Sequence, residues 1–104
     1  MEYTPDNWVV LKLQNEGGTL YKVLAGWSGG YTTGDSWRIN SGIVRVEEKP
    51  KHWEFYGLSG SVYKCHRKGY RLTVAINGIY NELKEKFGDK VQLMPEDTNW
   101  TEIV

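Results

Sequence analysis

A single cysteine, three prolines, two histidines and no net charge are what this 104-residue chain makes do with. Cys65 has no second cysteine to pair with, so an intramolecular disulfide is excluded. A secreted domain of this size would often lean on several, which favours a reducing, intracellular compartment. Cys65, His66 and His52 match no zinc-binding spacing, so neither a metal nor a cofactor is expected. Lysine plus arginine equals aspartate plus glutamate at 13 each, so no global field drives the chain toward nucleic acid or an anionic membrane. No apolar run approaches the ~20 residues needed to span a bilayer. The opening Met1-Glu2-Tyr3-Thr4-Pro5-Asp6-Asn7 lacks the basic and apolar regions of a secretory leader. The expectation is a soluble, cytoplasmic protein with no membrane partner.

What is abundant is glycine and large aromatics: 12 Gly, five Trp and seven Tyr. Such an aromatic load argues against disorder, and the glycines suggest short strands joined by tight turns. The length is that of one domain, 1–104. A short echo supports the same picture. Ser41-Gly42-Ile43-Val44 returns as Ser59-Gly60-Ser61-Val62, and two copies are too few for a solenoid, so they are expected to mark two similar corners between strands.

Trp8–Leu13 and Leu20–Ala25 read as a hairpin around Asn15-Glu16-Gly17-Gly18-Thr19. Gly26–Ser36 carries Trp27 and Tyr31 among glycine, serine, threonine and aspartate, the composition of an exposed loop. Trp37–Ile39 and Ile43–Glu48 look extended, with Val44 and Val46 on one face and Ile43, Arg45 and Glu47 on the other. Lys49–His52 turns the chain into Trp53–Leu58, and Val62–Cys65 follows after Ser59-Gly60. Leu72, Ile76, Ile79, Tyr80, Leu83 and Phe87 recur at helical spacing, and Gly88 is placed to end the helix. The helix covers about Asn77–Phe87, or begins at a Thr73 cap with Gly78 inside it. Val91–Met94 makes a last strand, and Trp100 in the acidic tail is placed to fold back on the body. The resulting class is α+β: a small, strongly bent antiparallel sheet or open β-barrel with one C-terminal amphipathic helix.

Two segments carry binding character. Trp27, Tyr31 and Trp37 surround the glycine-rich loop, where exposed aromatics serve as interface anchors. Tyr63, Lys64, Arg67, Lys68, Tyr70 and Arg71 interleave cations with rings, the combination that follows phosphates and stacks bases in single-stranded nucleic acid. Phe55–Asn81 contains no acid against those four cations, whereas six acids face three lysines from Glu82 to Val104. Cys65-His66 suggests a nucleophile beside a base, but neighbours on a strand point to opposite faces, so the base would have to be His52. Cys65 reads instead as a small buried hydrophobe.

Gly34–Val44, Ser59-Gly60-Ser61-Val62-Tyr63 and Glu96-Asp97-Thr98-Asn99-Trp100 resemble stretches of small uncharacterised proteins from tailed phages that infect marine cyanobacteria. That resemblance implies a viral accessory protein acting in the host cytoplasm, and it carries no site residues with it. The expected function is a non-enzymatic binding module that contacts a host or viral protein through the aromatic, glycine-rich loop. The alternative is single-stranded nucleic-acid binding through the basic-aromatic segment. Either a monomer or a homodimer is compatible, since a small open barrel leaves strand edges to cover.

Overall fold

The computed structural model describes residues 1–30 and 34–104, with side chains at all of these except 28–30 and 34–35. The chain is built mostly of strands: β1 (Glu2–Tyr3), β2 (Asn7–Asn15), β3 (Gly18–Gly30), β4 (Gly34–Ile39), β5 (Ile43–Glu48), β6 (His52–Gly57), β7 (Val62–His66) and β8 (Val91–Leu93). One helix, α1 (Val74–Phe87), and three short 3-10 turns complete the described residues. The strands form two four-stranded sheets, ordered β1-β7-β6-β5 and β4-β3-β2-β8. The α+β class stands, but the single bent sheet or barrel gives way to two sheets.

The reason for two sheets lies in β2 and β3. Trp8, Val9, Val10 and Leu11 are consecutive and all buried, as are Val23, Leu24 and Ala25 opposite them. Successive side chains on a strand point to opposite faces, so this pair must be covered on both sides. One face packs Trp8, Val10, Val23 and Ala25 against Ile43, Phe55, Tyr63 and Cys65 of the other sheet, with Trp100 inserted among them. The other face packs Val9, Leu11, Leu24 and Val91 against Ile76 of α1. The layers are therefore sheet, sheet and helix, with β4-β3-β2-β8 in the middle.

The β2–β3 hairpin forms as expected, with Asn15 opposite Gly18 and the Asn15 side chain accepting the Gly17 N–H at 2.8 Å. The expected loop at Gly26–Ser36 is largely strand, because β3 continues to Gly30 and β4 starts at Gly34. A Cβ on Gly26 would sit 2.8 Å from Ile76 Cγ2, so its glycine lets the helix approach the sheet. In β5 the register shifts between Ile43, opposite Gly57, and Arg45, opposite Tyr56. Val44 is the extra residue of this bulge and is half exposed, so Ile43 and Val46 share the core side and the simple alternation fails there.

The two Ser-Gly corners do more than resemble each other: they pack together. Ser59 N–H donates to Ser41 Oγ at 3.0 Å, and Leu58 N–H donates to the Gly42 carbonyl at 2.9 Å. The helix takes the longer of its two expected forms, starting after Thr73 and running through Gly78. It ends where Gly88, at φ 58°, donates its N–H to the Lys84 carbonyl. Trp100, 1% exposed, does fold back, lying 5.8 Å from the Trp8 ring and 5.6 Å from the Tyr70 ring.

Candidate functional site

Trp27 and Trp37 of the expected aromatic loop fall on two faces of one sheet. Gly26 stands opposite Trp37 and Trp27 opposite Ser36. Gly26 looks toward α1, so Trp37, its cross-strand partner, lies on the helix side, while Trp27 lies on the side of the other sheet. Trp27 is committed there: its indole donates to the Thr4 carbonyl at 3.0 Å, and its ring meets Tyr3 edge-on at 6.3 Å. The Arg38 guanidinium covers the same Tyr3 ring at 4.6 Å. Trp37 is different. It is 49% exposed on β4, between exposed Ser36 and Arg38, and β4 is an edge of its sheet among the described residues. Tyr31 lies outside the described residues.

The basic-aromatic segment is also divided. Tyr63 is 2% exposed in the core, 4.9 Å from Tyr3, and burial pushes its phenol above the usual range. Tyr70 wedges edge-on against Trp8 at 4.7 Å. Its hydroxyl donates to the Met94 carbonyl and accepts the Val10 N–H at 3.2 Å, tying the chain before and after the helix to β2. Burial pushes the Tyr70 phenol up to about 12. Both rings that would stack on bases are thus packing residues.

Among the cations, Lys64 pairs with Glu2 at 2.9 Å, and that contact raises its pKa. Arg67 stacks on Trp53 at 4.5 Å and donates to Glu48 at 2.9 Å and to the Lys49 carbonyl at 2.6 Å. It thereby locks the β5–β6 turn. Lys68 and Arg71 are exposed, and among the described residues neither has an ion pair. Lys68 joins Pro50, Lys51, His66 and Arg67 around a cleft of about 320 Å³. His66 Nδ1 accepts the Lys68 N–H at 3.2 Å there. This cleft is the part of the basic segment still open to an anion.

Cys65 is fully buried, and desolvation pushes its thiol well above the ordinary value. His52 stands opposite His66 while Trp53 stands opposite Cys65, so the His52 imidazole projects from the other face of the sheet. The thiol and this imidazole are not brought together.

One arrangement was missed in the sequence. On the outward face of β6, the Glu54 carboxylate lies 3.0 Å from His52 Nε2 and accepts the Tyr56 hydroxyl at 2.9 Å. These contacts, His52 first, hold Glu54 below the usual carboxylate range, and the Glu54 contact raises Tyr56. Arg45 pairs with Glu47 and covers the Tyr56 ring at 4.3 Å. The two-residue spacing of His52, Glu54 and Tyr56 was a readable sign of one strand face. The result is a hydrogen-bonded polar ladder on the outside of the sheet.

Among the described residues, no group of three or more His, Cys, Asp or Glu is arranged to hold a metal ion, and no helix is long and apolar enough to cross a membrane. Compared with known protein families, curated proteins and solved structures, the chain matches none.

Proposed function

We propose that the protein is a non-enzymatic binding module that engages a partner protein through strand β4, with Trp37 as its anchor. The carrying observation is that Trp37 is the one exposed tryptophan, and it stands on an edge strand. An edge strand offers unpaired backbone groups for strand addition, and a half-exposed indole supplies apolar area at small entropic cost. The resemblance to phage proteins makes the partner a host or viral protein in an infected cyanobacterium, with the module working in the host cytoplasm.

The test is quantitative capture of partners from infected-cell extract with Trp37→Ala against the parent. An anchor of this type carries at least ~2 kcal/mol, so retention should fall about thirtyfold. Retention of the same partner in the same amount would refute the reading.

A second reading, single-stranded nucleic-acid binding, draws on the cleft beside Lys51 and Lys68. With Tyr63 and Tyr70 in the core, it has phosphate contacts and no stacking, so binding would be indifferent to base and steeply weakened by salt. Absence of any anisotropy change with labelled single strands at low salt would dismiss it.

A further inference from the structure

The helix covers only part of the sheet face on which it lies. Leu20, Leu13 and Val91 form a row across β3, β2 and β8, since Leu13 stands opposite both Leu20 and Val91. Leu13 shares the Leu11 face, which packs toward α1. But α1 ends at Phe87, where Gly88 at φ 58° breaks the helix. What remains is a groove of about 390 Å³ lined by Leu13, Leu20 and Phe87, with the fully buried Val91 beneath them. Phe87 continues the helix's apolar stripe yet is 48% exposed. The stripe therefore runs one residue further than the surface that buries it.

The rim of this groove has one sign of charge. Lys22 projects from β3 and Lys90 directly precedes β8, so they stand on either side of β2; the remaining lining is Gln14 and Asn15. No acid lines the groove, and neither lysine has an ion pair among the described residues. Glu16 is in the adjoining shallower depression, which also contains Lys90. An apolar trough with a few convergent polar groups is the ordinary form of a small-molecule site. The two ammonium groups select against cationic and, less strongly, neutral occupants.

We propose that this groove binds a small amphipathic anion, a free aliphatic carboxylate of medium chain length. The chain would lie on Leu13 and Leu20 beside Phe87, with the carboxylate between Lys22 and Lys90. At about 30 Å³ per atom the space admits roughly 13 non-hydrogen atoms, enough for the ten of octanoate. The site is separate from the Trp37 edge and does not depend on the protein-binding reading.

The experiment is a titration of the full-length protein with octanoate, followed by amide chemical shifts, with octanol and acetate run in parallel. Shifts should concentrate at residues 13–22 and 87–91 and saturate with octanoate, with octanol and acetate each at least fivefold weaker. Lys22→Glu with Lys90→Glu should weaken octanoate about tenfold, since both charges are reversed at a surface site. Lys90→Glu alone, at an exposed position, should weaken it about threefold and guards against a folding defect in the double variant. Equal binding of octanol, unchanged binding by the lysine variants, or shifts located elsewhere would overturn the proposal. So would the same amides shifting on simple concentration of the ligand-free protein, which would make a second copy the occupant.

Discussion

Trp100→Ala measures whether the C-terminal turn is part of the fold or merely rests on it. The indole is 1% exposed and touches three other rings, with centroids 5.8 Å from Trp8, 6.0 Å from Phe55 and 5.6 Å from Tyr70. Truncating a buried Trp costs about 3–5 kcal/mol, from lost transfer free energy plus the cavity left behind. A domain of this length has a total stability of roughly 5–15 kcal/mol, so the loss would be a large fraction of it. Urea unfolding monitored by far-ultraviolet circular dichroism, which does not depend on the deleted fluorophore, reads the effect directly. With a slope of about 2 kcal/mol per molar, a 4 kcal/mol loss lowers the midpoint by about 2 M with the slope unchanged. Trp37→Ala is the internal control: at 49% exposure it should lose well under 2 kcal/mol. If Trp100→Ala loses less than about 1 kcal/mol, the two sheets do not depend on this wedge, and the account of the intersheet core is wrong.

Two glycine substitutions should differ in sign. Gly78→Ala, in the exposed middle of α1 with nothing within 4 Å of an added Cβ, should raise stability by about 0.5–1 kcal/mol in the same unfolding assay. Gly42→Ala should lower it by more than about 1 kcal/mol, because φ is +137° and an added Cβ would lie 2.7 Å from Leu20 and 3.0 Å from Leu58. Alkaline stability should follow Tyr70, whose folded phenol is held up to about 12 by burial. The folded state then keeps its proton more tightly than the unfolded chain, so this stabilisation is intact below about pH 10 and lost as pH rises toward 12. Its size is on the order of 2–3 kcal/mol, and Tyr70→Phe should make that limb shallower by this share in urea melts taken between pH 9 and 12, leaving the part due to buried Tyr63 and Cys65. Iodoacetamide should label Cys65 only on unfolding, and rapid labelling of the native protein near pH 8 would contradict its burial.

How much of this was legible from residues alone depended on whether local pattern or distant register decided the position. The β2–β3 hairpin, the end of the helix at Gly88 and the burial of Cys65 follow from turn chemistry, helical spacing and thiol packing, all local. The need to cover both faces of β2 was also written locally, in the unbroken Trp8-Val9-Val10-Leu11 run, since its apolar residues are of both parities. A single bent sheet offers that cover only on its concave side. Val44 shows the opposite case. Period two assigns Ile43 and Val46 to different faces, and one inserted residue places them together; nothing in Ile43-Val44-Arg45-Val46 announces the bulge.

The candidate sites divide on the same line. Alternation correctly separates Tyr63 from Lys64, but it cannot show that Glu2 and Glu48 reach across to Lys64 and Arg67, because both acids come from strands distant in sequence. It likewise cannot show that β3 continues through Gly26 to Gly30 and pairs with β4, with a register shift between Trp27 and Gly30, since glycine leaves no side-chain signature of pairing. Composition therefore assigned Trp27 and Trp37 to an exposed loop, whereas both stand on paired strands. Of the five tryptophans, two are buried at 1% exposure and two are part-buried with their rings in use, which leaves Trp37 as the residue whose exposure the fold itself does not require. Exposing that ring has a cost of about 25 cal/mol for each Å² of apolar surface left in water, and a partner that covers it recovers the same term. The same reasoning applies to Phe87 at the other end of the helix-side face: each is an apolar residue placed one step beyond the surface that could bury it, and each makes its own binding test independent of the other.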